Sequence, residues 1–106
     1  MSALIWCPFP DRDSARAAAN TLLDEGLIAC ANLLGPVESI FEWDGKRDTG
    51  EEIGVLFKTD VSRLDEAVER LELLHPYDIP AIMGWRCDAV PQATRSWLGL
   101  LGQGDD

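Results

Sequence analysis

The chain has 106 residues, 46% of them hydrophobic and 26% charged, with 19 acidic against 9 basic side chains and a formal charge of −10. That length and composition suit one globular domain with a modest core and exclude intrinsic disorder as the main state. The acidic balance repels phosphate backbones and anionic lipid, so no nucleic-acid or membrane-surface partner is expected; cations and basic partners are favoured.

The first run, Leu4-Ile5-Trp6-Cys7, is apolar and is followed by Pro8 and Pro10. It reads as a buried central strand closed by Cys7. No Lys or Arg precedes it, which is not the pattern of a secretory signal, and no stretch reaches the roughly 18 apolar residues of a spanning helix. Asp11, Asp13 and Ser14 then offer helix caps, and Ala15, Ala18, Ala19, Leu22 and Leu23 share one face of a helix running from Ser14 to Glu25. Gly26 is its expected stop.

Leu27 to Leu34 is a further apolar run that ends at Gly35-Pro36, and Val37 to Trp43 leads into Asp44-Gly45, a hairpin signal. The return strand is read over Glu51 to Thr59, with Ile53, Val55 and Phe57 alternating and Leu56 breaking the alternation. Val61 to Leu74 is the clearest helix, with Leu64, Val68, Leu71 and Leu74 on one face and Glu66 spaced to pair with Arg70. His75-Pro76 ends it. Ile79 to Cys87 reads as the last strand and Pro91 to Leu101 as a terminal helix, while residues 102–106, rich in Gly and Asp, read as a disordered tail to a single domain over 1–101.

The order strand–helix–strand–strand–helix–strand–helix predicts an α+β ferredoxin-like sandwich with one extra helix. With the strands in spatial order four, one, three, two, one edge of the sheet would gather Cys7, Asp11, Trp43, Lys46, His75 and Tyr77. Thiolate and imidazole suit copper and zinc, yet two ligands do not make a closed site, and Asp11, a water or a neighbouring chain would have to complete it. Against this stand two plainer readings: Cys7 as a small buried hydrophobe and His75 as a helix-stop residue. Cys30 and Cys87 read as core or near-core packing. None of the three cysteines stands in a Cys-x-x-Cys pair, so free thiols in a reducing cytoplasm are expected. Trp6, Trp85 and Trp97 read as core anchors, and Trp43, beside the turn, as a subunit contact or a ligand-stacking surface. The chain has one histidine, which excludes a two-histidine ligand motif within it. It carries no nucleophile elbow, P-loop or dinucleotide fingerprint. Glu51 and Glu52, adjacent on a strand, point to opposite faces and cannot act as a carboxylate pair. No catalysis is expected.

Four segments, taken together, carry a resemblance: Leu27-Ile28-Ala29-Cys30-Ala31-Asn32-Leu33, Ser39-Ile40-Phe41-Glu42-Trp43-Asp44-Gly45-Lys46, Phe57-Lys58-Thr59 and His75-Pro76-Tyr77-Asp78-Ile79-Pro80. In that order and spacing the chain, from about Cys7 to Leu98, resembles the CutA divalent-cation-tolerance proteins. The resemblance implies a ferredoxin-like subunit in a tight homotrimer, with a long hairpin of strands two and three reaching neighbouring subunits. It also implies copper or other divalent-cation binding, with Cys7 and His75 at the ligand positions. Leu74 stands where some relatives have a second histidine, Ala81 where glutamate is usual, and Thr94-Arg95 where relatives often carry Tyr-Leu. Three readings follow: a trimeric non-enzymatic protein of divalent-metal homeostasis; a PII-like sensor of a small molecule or anion, with Trp43, Lys46, Lys58 and Tyr77 lining an inter-subunit cleft; and a trimeric assembly or anchoring module.

Overall fold

The structure is a computed structural model and describes residues 1–103. Its elements are β1 (Ser2–Phe9), α1 (Arg12–Asp24), β2 (Cys30–Trp43), β3 (Lys46–Asp60), α2 (Val61–Leu74), β4 (Met83–Arg86) and α3 (Gln92–Gln103). The four strands form one sheet in the order β2-β3-β1-β4, every neighbouring pair antiparallel.

One face of the sheet carries the core. Ala3, Ile5, Cys7 and Phe9 of β1 are fully buried, as are Val55, Phe57 and Thr59 of β3. Against them pack Ala15, Ala18 and Leu22 of α1 and Ala67 and Leu71 of α2. The alanines matter because a helix with small side chains can sit close to the sheet. Asp11 caps α1 by accepting from the Ser14 amide at 2.7 Å, and Asp60 caps α2 by accepting from the Ser62 amide at 2.9 Å. Gly26, at φ 70, takes the left-handed position that ends α1. α3 touches β3, β1 and α2, burying Leu98.

Several expectations are corrected. β1 runs through Pro8 to Phe9, because β4 pairs only with Ala3–Trp6 and a proline beyond that point forfeits no ladder bond. β1 is buried on one face, not both: Leu4, Trp6 and Pro8 on the other face are only half-buried. β2 is not broken at Gly35-Pro36. It passes as one strand with a bulge between Leu33 and Gly35, where Gly35 adopts φ 98. β3 begins at Lys46, so the hairpin is far longer than Glu51–Thr59 implied. β4 has four residues only; Ile79 to Ile82 lie outside the sheet. Arg70 pairs not with Glu66 but with Glu25 at the end of α1, at 2.8 Å. Gly102 and Gln103 belong to α3 rather than to a tail, and 104–106 lie outside the described residues. The tryptophans are not core: Trp6 is half-buried on the open face, and Trp85 and Trp97 are each 45% exposed. Cys30 and Cys87 are half-buried. Trp6 and Trp85 lie off this core because they alternate onto the face opposite α1 and α2.

Candidate functional site

The end of β1 and the end of α2 meet at one corner of the sheet. Pro76 forces His75 out of helical geometry, to φ −73 and ψ 140. The His75 ring, only 6% exposed, folds back onto β1 and stacks on Phe9 with centroids 4.5 Å apart. Its Nδ1 accepts from the Tyr77 amide at 3.1 Å, so the proton sits on Nε2, which donates to the Pro8 carbonyl at 2.9 Å. The histidine thus latches the segment following α2 to the C-terminal end of β1.

Tyr77, placed by that latch, donates its phenol to Glu52 Oε2 at 2.9 Å. Burial, then the Glu52 hydrogen bond and charge, pushes the phenol up to about 12, with smaller contributions from Asp11 and Cys7. It is a neutral donor at pH 7. The Cys7 thiol is also pushed up to about 12, by burial first and the Glu52 charge second. Cys7, Asp11, Glu52, His75 and Tyr77 therefore occupy one electrostatic neighbourhood.

Beside it opens a cleft of about 340 Å³. It is lined by Pro8 of β1, Phe41 and Trp43 of β2, Gly50, Glu51 and Glu52 of β3, and Tyr77, Ile79 and Ala81 of the segment after α2. Strand register explains the convergence. Val37 pairs with Glu52, Ser39 with Gly50 and Phe41 with Asp48, so alternate residues of both strands share this face. The face is the one opposite the α1–α2 core, and Phe41 and Trp43 on it are 44% and 58% exposed.

The candidate residues are thus partly united. Cys7, His75 and Tyr77 come together, and Trp43 lines the same cleft as Tyr77. Lys46 lies across from Trp43 at the turn but does not line the cleft. Lys58 pairs with Leu4 and Cys30, six residues beyond Glu52 on the same strand and so roughly 20 Å away. Ala81 lies in the cleft wall, and Leu74 packs partly buried against the core. Glu52 is the residue that sequence reading missed. Its period-2 place beside Gly50 and Gly54 was readable; its tyrosine partner, 25 positions away, was not.

A divalent cation does not fit the residues of one subunit. Both nitrogens of His75 are committed to backbone partners, and the Cys7 thiol is protonated and faces the core. Among the described residues no three Cys, His, Asp or Glu side chains converge to hold an ion. Copper or zinc would have to break the His75 latch and draw further ligands from elsewhere.

Comparison with known proteins places this architecture. The family model described as "CutA1 divalent ion tolerance protein" matches residues 3–100. The divalent-cation tolerance protein CutA of Thermococcus kodakarensis is 38% identical over 98 residues, covering 92% of this chain and 93% of its own. That of Pyrococcus horikoshii is 40% identical over 95 residues, covering 90% and 92%. Among solved structures, CutA from Xylella fastidiosa superposes with a TM-score of 0.90 at 31% identity, over 94% of this chain and 96% of that one. A protein of Archaeoglobus fulgidus described as a periplasmic divalent cation tolerance protein CutA gives 0.89 at 26% identity, over 95% and 98%.

Proposed function

The chain belongs to the CutA1 divalent ion tolerance protein family, and from that premise we propose that it supports divalent-cation tolerance as a non-enzymatic homotrimer rather than as a one-subunit chelator. The carrying observation is the long hairpin of β2 and β3. It presents Ile40, Phe41 and Trp43 to solvent at 67%, 44% and 58% exposure, on a subunit whose outer strand β2 has an unpaired edge of 14 residues. A bare edge of that length with apolar side chains invites pairing. The two outer strands, β2 and β4, are different, so pairing the edge of one copy with another surface of the next is a head-to-tail contact. Such contacts build a ring where the rotation between copies closes, and three copies is the number that the family resemblance implies.

No helix among the described residues is long and apolar enough to cross a membrane. Three free cysteines, at 7, 30 and 87, support a reducing, cytoplasmic setting. The cleft favours a ligand-sensing role over pure anchoring, and its charged side chains are carboxylates, so the anion version of that role has no support in its lining.

Light scattering at micromolar concentration is expected to give three times the 11.7 kDa subunit mass. A single subunit mass would overturn the assembly. Copper and zinc titrations of the parent, Cys7→Ser and His75→Ala proteins are expected to coincide. Selective loss of stoichiometric binding in both variants would restore these residues as ligands.

A further inference from the structure

We propose that residues 76–82 form a strap whose closed position, set by the Tyr77–Glu52 hydrogen bond, is coupled to the seating of a neighbouring subunit against the hairpin. The coupling rests on the trimeric assembly proposed above and adds a regulated element to it.

The strap is held at few points. It lies between α2 and β4 and belongs to neither helix nor sheet. Among the described residues, no backbone–backbone hydrogen bond outside the helices and strands holds any of 76–82. Its ties are the Tyr77 amide to His75 Nδ1 at 3.1 Å, the Tyr77 phenol to Glu52 Oε2 at 2.9 Å, the Tyr77 ring against the His75 ring with centroids 4.7 Å apart, and Ile82 packed on the core. Pro76 and Pro80 fix φ at two places, so the piece between them moves as a unit. Few ties, with Tyr77 39% and Ile79 68% exposed in one subunit, mark a segment that opens more readily than the core.

Of these ties, the phenol is the one that reaches the hairpin. Glu52 stands on β3 opposite Val37 of β2. The cleft beside it is lined from the hairpin by Phe41 and Trp43 and from the strap by Tyr77, Ile79 and Ala81. A neighbour seated on Phe41 and Trp43 therefore faces the strap across the same cleft.

Such a neighbour prefers the closed strap for two reasons. Its seating draws water from the cleft, and a carboxylate that loses water without a donor is costly. The Tyr77 hydroxyl is the donor that Glu52 has among the described residues, and only the closed strap delivers it. A strap already fixed also leaves less disorder to be lost on contact. By linkage the effect is reciprocal: a closed strap favours assembly, and assembly protects the strap.

Tyr77→Phe tests this, because it keeps the ring and the backbone amide and deletes only the donor. Hydrogen exchange at the amides of Tyr77 (Phe in the variant), Asp78, Ile79, Ala81 and Ile82 is expected to quicken about five-fold, with α1 and α2 unchanged. Subunit exchange between unlabelled and heavy-isotope-labelled trimers, followed by native mass spectrometry at a temperature where the parent exchanges, is expected to quicken by a similar factor. Glu52→Gln leaves a weaker acceptor and should speed strap exchange about two-fold. Circular dichroism checks that both variants fold. A parent protein found as a single subunit would overturn the assembly reading and the coupling with it. A trimer in which Tyr77→Phe leaves either strap exchange or subunit exchange at the parent rate would overturn the coupling alone.

Discussion

His75 shows how one side chain can serve position without serving chemistry. Its imidazole joins two backbone groups that lie 67 and 2 residues away in the chain, and its ring fills the space above Phe9. Truncation would leave the Pro8 carbonyl and the Tyr77 amide without their partner and open a void beside Phe9. His75→Ala is therefore expected to lose about 2–4 kcal/mol, read from denaturant unfolding at fixed protein concentration. The Tyr77 phenol should then lose its bond to Glu52, visible as a lower midpoint for its titration by ultraviolet absorbance. A variant as stable as the parent would show that the latch is not used. Both halves of this device were legible separately: Pro76 announced the helix end and the apolar run Leu4–Cys7 announced β1. Their meeting was not, because no local pattern says which strand end a helix end will reach.

At the scale of elements, the caps and the close strand contacts carry the argument. The Asp60 carboxyl is pulled upward by burial, but the Ser62 hydroxyl and amide and the N-terminal ammonium outweigh that and hold it below the usual range. A folded value below the unfolded one, about 3.9, means that the carboxylate stabilises the fold above that pH and that this contribution is lost as pH falls through the folded value. Asp60→Asn is expected to be less stable at pH 7 and to show a shallower decline below about pH 4; parallel acid-unfolding curves for the two proteins would refute it. A second element-level demand lies at Gly54, where a Cβ would stand 2.6 Å from Trp6 Cη2 and 3.2 Å from Val37 Cγ1. Gly54→Ala should cost about 1–3 kcal/mol, and Trp6→Phe in the same chain should recover part of it. An unchanged unfolding midpoint would show that the indole moves freely. The helices were readable because α2 repeats its leucines every three or four residues and closes on His75-Pro76. β2 was misread because Gly35-Pro36 looks like a break. A bulge absorbs both residues while the ladder with β3 continues, and ladder partners belong to another segment.

On the scale of the whole molecule, α1 and α2 build the core on one side of the sheet. The other side exposes Phe41, Trp43, Met83 and Trp85, and the principal extents of 46 × 26 × 22 Å describe a body drawn out along its hairpin. If that hairpin is a subunit contact, placing a charge on it must weaken assembly without unfolding the chain. Ile40→Lys, at a position 67% exposed in one subunit, is expected to shift sedimentation toward lighter species as the protein is diluted while circular dichroism stays the same. An intact trimer across the same dilution series would remove the hairpin's outer face from the interface.

Taken alone, the chain of residues determined the order of helices and strands, where α1 and α2 stop, and which family the protein joins. These are matters of short-range periodicity, proline and glycine geometry, and motif order, all written within a few residues of one another. Only the tertiary structure decided that Tyr77 would turn Glu52 into an oriented carboxylate, that both nitrogens of His75 would be committed to backbone, that Lys58 would lie far from the cleft, and that four tryptophans would stay out of the core. Each of those outcomes depends on register or on where strand ends and helix ends meet. Those are set by contacts between residues 25 to 67 positions apart, and no local signal encodes them.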